Sequence, residues 1–597
     1  MSGIFGVVTI EKERPITADI AAMQPAMQSW GRDRDGLWQG AGVALGHQLH
    51  IDTPESRSEQ QPSAGPAESG WRISADARID NREELLASLS LRSSSADPLT
   101  DDQLILHAWL KWGEECLNRL VGAFVFVLWH ESTRTLIAAR DHLGCRPLFY
   151  HHAKGRLLWA SDVRAILAVD GVPHDIDELA LLSHVARYHV YLRSRSHWQG
   201  VMRLEPGHML IWKNGELHTK RHWRPETIVE DNCSLREGAD KMKSLLDTAV
   251  TAQLRTVHRV GVHLSGGIDS GAVAVLAHQT LGQRGDSLAG AYSWSPPPNS
   301  AEGAGGAEYP RIAWLESQLG LSCRYCDLTE EDFYANFQRD PTIEPTELIL
   351  YENVMKTPAA NDGAGVMLSG WGGDEYASFN GRGVMAARFW SGRWFELYRE
   401  VSQMGGKWRR RWSLARSQIW EGRPLLLSRF GSDPMMAKID GAYPQWRQAF
   451  RPDEIEQITA WRRERVLQPG VRATMLALGA GGHLANRMTD WATLGGEGGL
   501  QYRFPLLDRR VVEAALAMPD RFFWHDGVAR YGMKLACTDL LPQKLVWRSP
   551  KREPSRMGRM DKVAHHTYRK HATAQADDPV SRHHRQQASI GMALVGK

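Results

Sequence analysis

Ser265-Gly266-Gly267-Ile268-Asp269-Ser270 constrains the fold more than any other stretch of this chain. It follows a short apolar run at 259–264 and opens a helical pattern over 272–281 that stops at Gly282. A strand that passes through glycines into a helix presents unpaired backbone N–H groups, which together make an anion site. The two serine hydroxyls add donors. Asp269 repels a phosphate on its own, and makes sense where it holds Mg²⁺ that the phosphates share. Alternation of strand and helix continues through 288–294, 309–319 and 366–368, the pattern of a parallel α/β sheet. A second turn, Ser369-Gly370-Trp371-Gly372-Gly373-Asp374-Glu375, leaves the strand at 366–368. Strand carboxyl ends gather at the ligand crevice of an open parallel sheet, so Asp374 is expected to meet Asp269 across a polyphosphate.

The stretch before residue 225 reads differently. Strands are expected at 4–10, 41–51, 71–79, 122–129, 135–139, 157–160 and 207–212, and helices at 83–89, 103–112 and 177–188. Runs of strands with few helices between them predict layered sheets. An amphipathic helix over 240–254 opens the second half. Beyond 380 the chain reads as helical and Trp-rich, and from about 565 as a polar tail with His565, His566, His571, His583 and His584. At roughly 150 residues per domain, a chain of 597 residues holds four domains or two large ones. A net charge of +3 excludes an electrostatic argument for nucleic acid. Six cysteines make no disulfide framework and point to a reducing compartment. The run 120–129 is too short to span a bilayer, and MSGIFGVVTI is no secretory signal, so the expected location is the cytoplasm.

SGGIDS followed by SGWGGDE resembles the asparagine-synthetase-like ligases. MSGIFG resembles the family's MCGIFG start, and Arg140 to Leu148 its RDxxGxxPL. Ala160-Ser161-Asp162, Leu204-Glu205-Pro206-Gly207, Arg503 to Asp508 (RFPLLD), Leu541-Pro542, Trp547-Arg548 and Lys551 match further landmarks. The resemblance implies two domains. Residues 1–224 are expected as a layered αββα, Ntn-hydrolase-like domain related to glutamine amidotransferases. Residues 225–597 are expected as a parallel-sheet α/β domain of the PP-loop ATP-pyrophosphatase kind with a helical extension. It further implies ATP contacts at Ser265, Gly266, Gly267, Asp269, Ser270, Ser293, Gly370, Trp371 and Gly372. Asp269 and Asp374 are the implied Mg²⁺ ligands. Lys551 is the implied catalytic lysine, balancing charge on the adenylate and the tetrahedral intermediate.

The sequence departs from the family where glutamine is handled. Position 2 is Ser in place of the nucleophilic Cys, and a hydroxyl is a far weaker nucleophile than a thiolate. The family's NGEIYN aligns with Asp76-Ala77-Arg78-Ile79-Asp80-Asn81, and its GHRRL with Gly46-His47-Gln48-Leu49-His50. The first domain therefore reads as a scaffold without glutaminase activity; the rival is a Ser2 amino-terminal hydrolase. With another nitrogen source required, the resemblance narrows to β-lactam synthetases or lasso-peptide cyclases. Trp371 stands where other branches carry Glu or Tyr. Indole cannot accept a proton but offers a stackable face to a bulky substrate. A peptide α-amine, with pKa about 8, needs little help from a base. The expected function is thus a lasso-peptide cyclase, served by a leader-removing protease partner and acting on a precursor peptide. The alternatives are an ammonia-dependent asparagine synthetase, a β-lactam-synthetase-like small-molecule ligase, or a non-catalytic scaffold. No residue is singled out to take the amine proton.

Other residues carry blander expectations. Glu375 either supports the metal ligands or caps a following helix. Tyr292 and Ser293 end a strand where the family contacts adenine. Lys534 reads as a surface residue, Cys323 and Cys326 as buried thiols, and Lys407 to Trp412 as a solvated helix face. Trp390, Trp394, Trp408, Trp412, Trp420 and Trp446 read mostly as helical core.

Overall fold

The computed structural model describes residues 1–12, 16–94, 98–177, 180, 194–299, 308–327, 329, 331–332, 348–423, 469–480 and 482–547. Two six-stranded antiparallel sheets form the amino-terminal half. In chain order its strands are β1 (Gly3–Thr9), β2 (Arg34–Gly40), β3 (Val43–Leu49), β4 (Ser63–Ala64), β5 (Trp71–Ile79), β6 (Gly122–His130), β7 (Thr135–Arg140), β8 (Phe149–Ala153), β9 (Arg156–Ala160), β10 (Val201–Arg203), β11 (His208–Lys213) and β12 (Glu216–Arg221). One sheet runs β10-β8-β9-β1-β3-β2, the other β12-β11-β7-β6-β5-β4. Side chains alternate across each strand and so serve two cores. Ile4 and Val8 of β1 meet Val125, Val127 and Trp129 of β6 between the sheets. Phe5 and Val7 face outward onto helix Thr17–Met27, and Phe124, Phe126 and Leu128 onto helix Asp101–Trp112. The result is a four-layer αββα domain, as expected.

The second half is built on a parallel sheet of β13 (Arg259–His263), β14 (Gly290–Ser293), β15 (Cys323–Tyr325), β16 (Ala364–Leu368) and β17 (Gln501–Arg503). Its order is β15-β14-β13-β16-β17. From β13 the chain steps outward to β14 and β15, then returns to the other side at β16. This reversal places a crevice at the carboxyl ends of β13 and β16, where both glycine-rich turns sit. Helix Leu235–Gln253 starts earlier than the apolar periodicity indicated, because Ser234 and Glu237 cap it reciprocally. The helix after β13 runs Ile268–Gln283 and passes through Gly282. The expected helix at 177–188 lies largely outside the described residues, as do Trp446, Arg548, Lys551 and the His-bearing tail. Among the described residues, no helix is long and apolar enough to cross a membrane.

Two expectations need correction. Trp394, Trp408 and Trp420 are exposed, because helices Val384–Trp390, Trp394–Gln403 and Trp408–Glu421 pack by one face each. Lys534 is buried within helix Tyr531–Ala536. Lys407, Arg409 and Arg410 face solvent, and Cys323 and Cys326 are buried free thiols, both as expected.

Candidate active site

Gly267 begins helix Ile268–Gln283 with no side chain bonded to the helix's first N–H groups. Those donors stay available to an anion. Gly266 takes φ +66, a left-handed turn that glycine adopts without strain. Ser270 Oγ accepts the Ser265 N–H at 3.2 Å and lies 3.0 Å from Ser265 Oγ, so the two hydroxyls close the loop from within. The second turn lies directly against the first. A Cβ on Gly370 would fall 2.4 Å from the Ser270 nitrogen, and one on Gly373 2.6 Å from Asp269 Cγ. Gly372 takes φ +96, with Leu507 filling the space beside it.

This contact brings the two aspartates together. Ser378 Oγ donates to Asp269 Oδ2 at 2.7 Å and lies 3.4 Å from Asp374 Oδ1. Arg530 Nη1 stands 2.7 Å from Asp374 Oδ1 and 3.8 Å from Asp269 Oδ2. Burial, and then the neighbouring Asp374, push the Asp269 carboxyl up to about 7. Asp374 is also raised, chiefly by desolvation, although 62% of its side chain still meets solvent and tempers the rise. Asp269 Oδ1 is buried with no hydrogen-bond partner. That orphaned oxygen beside a second carboxylate fits a divalent cation. Among the described residues no cluster of three metal-binding side chains exists, so such a cation takes its remaining ligands from phosphate or water, which suits Mg²⁺. Glu375 adds negative charge to the pair and caps no helix, since residues 371–378 form successive turns.

Opposite the carboxylates stand cations that sequence reasoning did not find. Arg530 and Lys534 lie one helical turn apart, and Arg311 Nη1 donates to the Gly266 carbonyl at 3.3 Å. Burial, Arg530 and Arg311 together lower the Lys534 pKa. Three crowded cations beside a loop of open N–H groups are complementary to a polyphosphate. Arg530 holds its position from a left-handed backbone, φ +61. Arg530→Gly keeps that turn and removes the guanidinium together with its stem. The variant is expected to bind Mg²⁺ several-fold more tightly in calorimetric titration without nucleotide, because no guanidinium competes for the aspartates; unchanged affinity refutes that competition.

The remaining expected residues are placed as follows. Trp371 is half-buried and packs edge-to-face on Phe504 at 6.0 Å. Ser293 is buried; its hydroxyl accepts the Ser295 N–H and its carbonyl the Cys326 N–H. The Tyr292 hydroxyl donates to Asp362, just before β16, at the far end of the sheet from the crevice. Lys551 lies outside the described residues.

In the first domain, Ser2 Oγ accepts the His50 N–H at 3.0 Å. Arg146 Nε lies 3.1 Å from Asp76 Oδ2, and Arg78 forks onto Asp80 at 2.7 and 2.9 Å. Asn81 bonds the Arg119 carbonyl and the Val121 N–H. A cleft lies between the two halves, and Arg78, Arg146, Tyr502, Arg503, Phe504 and Leu507 help to line it.

The family profile described as asparagine synthase matches residues 241–592, and that of the glutamine amidotransferase domain matches residues 1–223. The chain is 26% identical over 341 residues to a Bacillus subtilis glutamine-hydrolyzing asparagine synthetase 3, across 56% of this chain and 55% of that one. It is 27% identical over 320 residues to the amidase chry2 of Gibberella zeae, across 52% of this chain and 46% of that one. With B. subtilis asparagine synthetase 1 the identity is 25% over 285 residues, 46% of this chain and 44% of that one. The chain thus spans about half the length of the curated relatives it matches.

Proposed function

Because this chain belongs to the asparagine synthase family, we propose that it is an ATP-dependent carbon–nitrogen ligase, and specifically a lasso-peptide cyclase. The observation that carries the ligase reading is the meeting of Asp269 and Asp374 over the open helix start at Gly267, faced by Arg530 and Lys534. Asp269 and Asp374 would hold Mg²⁺, which would supply charge stabilisation as pyrophosphate departs. The chain's own groups do the rest. The Ser265–Ser270 turn holds the phosphates through N–H and O–H donors. Arg530, Lys534 and Arg311 balance their charge, and Lys551 is assigned the same role at the adenylate. The product side is an acyl-adenylate, attacked by an amine that the pocket holds nearby in place of a chance encounter.

The peptide reading rests on what the first domain lacks. Position 2 is Ser, and Asp76, Arg78 and Asp80 are engaged in ion pairs with Arg146 and with each other. The half-buried Trp371, packed on the buried Phe504, supplies an apolar wall for a large acyl donor. On this reading the acid is an Asp or Glu side chain of a precursor peptide, the nucleophile is that peptide's own amino terminus, and a leader-removing protease works alongside in the cytoplasm. The second reading is amidation of a small acid with free ammonia; the relatives include asparagine synthetases, although by name these hydrolyse glutamine.

One incubation separates the two. Precursor peptide, protease, ATP, Mg²⁺ and this protein are expected to yield AMP, pyrophosphate and a peptide lighter by one water in the mass spectrum. An unchanged peptide mass refutes the cyclase, and aspartate-dependent AMP formation without peptide establishes the second reading in its place.

A further inference from the structure

A buried carboxylate stands beside this crevice with no part in holding phosphate or metal. Glu352, on helix Leu348–Asn361, is completely buried. Tyr502 donates to its Oε2 at 2.8 Å, the Trp294 indole N–H donates to Oε1, and His263 Nε2 lies 3.3 Å from Oε1. The last is an ion-pair contact bent away from hydrogen-bond geometry. Burial raises the carboxyl, but His263, Tyr502 and Trp294 override it and hold Glu352 below the usual carboxylate range. A lone ionised carboxylate in such a place costs several kcal/mol unless its oxygens are satisfied, and here the Tyr502 hydroxyl and the Trp294 indole satisfy them, with the His263 ring beside them.

The position of that imidazole matters more. His263 ends β13, two residues ahead of Ser265, while Trp294 directly follows β14, Trp371 follows β16 and Phe504 follows β17. All four therefore stand at the carboxyl edge of the sheet. Their rings form a continuous row: Trp371 to Phe504 at 6.0 Å, Phe504 to Trp491 at 5.6 Å, Trp491 to His263 at 5.8 Å. Near the phosphate turn, His263 is an imidazole that stands beside a carboxylate, and 11% of it reaches solvent. Its Nδ1 has no hydrogen-bond partner among the described residues.

We propose that His263, oriented by Glu352, is the catalytic base that takes the proton from the attacking amine. The proposal rests on the ligase reading and adds the proton acceptor that Trp371 cannot be, since indole only donates. In the step, the amine lone pair forms the C–N bond at the acyl-adenylate carbonyl and the nitrogen's proton passes to His263 Nδ1. The carbonyl C–O bond to AMP then breaks, and AMP leaves with that electron pair. Glu352 stabilises the imidazolium until it returns the proton to water, as the carboxylate does in other carboxylate–histidine pairs. The titratable groups facing His263 are Glu352 from the helix and Tyr502 from β17; Trp294 and Trp491 close the remaining sides without charge.

The test separates activation of the acid from transfer to the amine. The acid is an N-acetylated precursor peptide, or aspartate if the small-acid reading holds; the external nucleophiles are glycinamide and hydroxylamine. His263→Gln is expected to retain ATP–pyrophosphate exchange within about threefold, yet to lose glycinamide ligation by about 10²–10³-fold near neutral pH. The loss shrinks as pH rises past the amine's own pKa, about 8, and hydroxylamine, largely unprotonated at neutral pH, is ligated nearly as well as by the wild type. Glu352→Gln, which keeps the buried side chain's size, is expected to move the acid limb of the glycinamide pH–rate profile to lower pH. Equal losses of exchange and ligation in His263→Gln overturn the proposal, as does an unshifted profile in Glu352→Gln. Absence of acid-dependent exchange in the wild type is a different result, and it overturns the ligase reading itself.

Discussion

Asp269→Asn is expected to lower ATP–pyrophosphate exchange by about 10²–10³-fold, since a divalent cation at a departing pyrophosphate supplies several kcal/mol of charge stabilisation. The wild type should also show a pH signature that the variant lacks. With its carboxyl at about 7, folded Asp269 keeps a proton that the unfolded chain releases near pH 4. Within that window the native state binds more protons than the unfolded state. Metal-free stability from this group is therefore greatest at the acid end and falls as pH rises toward 7. Mg²⁺ needs the ionised carboxylate, so its affinity weakens about tenfold per pH unit below 7 and levels off above. Titrations of Mg²⁺ against melting temperature at pH 6 and pH 8 check this. A wild-type affinity indifferent to pH removes Asp269 from the metal site.

Arg503→Met is expected to cost about 3–5 kcal/mol in urea unfolding, the cost of leaving a buried charge unpaired. Arg503 is fully buried beneath the crevice and joins the two halves. It pairs with Asp52 of the first domain, donates from its Nε to Gln501 Oε1 at 3.0 Å, and donates to the Gln253 and Arg255 carbonyls. Burial alone pushes the Asp52 carboxyl up, but Arg503 overrides it and holds the group far below the ordinary range. That stability is present above about pH 4 and is lost as pH falls further. Adding Asp52→Asn to the Met variant should recover part of the loss, because the uncompensated charge is gone. If Arg503→Met unfolds like the wild type, the first domain is not the structural support that its contacts indicate.

Arg503 also shows how far a sequence can be read. It was recognisable as the start of a family landmark, yet nothing local announced that it reaches a residue some 450 positions away. The Ser265–Ser270 turn was legible because its signal is local: strand, glycines and helix start are contiguous. β17 escaped notice because three residues give no periodicity to detect, and they lie in a stretch otherwise rich in helix. Lys534 was misread for a related reason. A lysine at a helix start is usually solvated, and its burial depends on how that helix packs against helix Leu235–Gln253. The Ser234–Glu237 cap, a local signal that the apolar repeat alone does not carry, starts the helix before that repeat.

By itself, then, the order of residues determined that two aspartates each follow a strand end and a glycine-rich turn, and that the glutamine-handling residues have changed. Both are properties of short contiguous stretches, where backbone geometry and side-chain chemistry are coupled within a few residues. Only the tertiary structure decided what faces those aspartates: Arg530 between them, Lys534 and Arg311 behind the phosphate turn, and Glu352 holding His263 at the sheet edge. Charges on separate elements act on one another over a few ångströms, and chain separation says nothing about that distance until the elements pack.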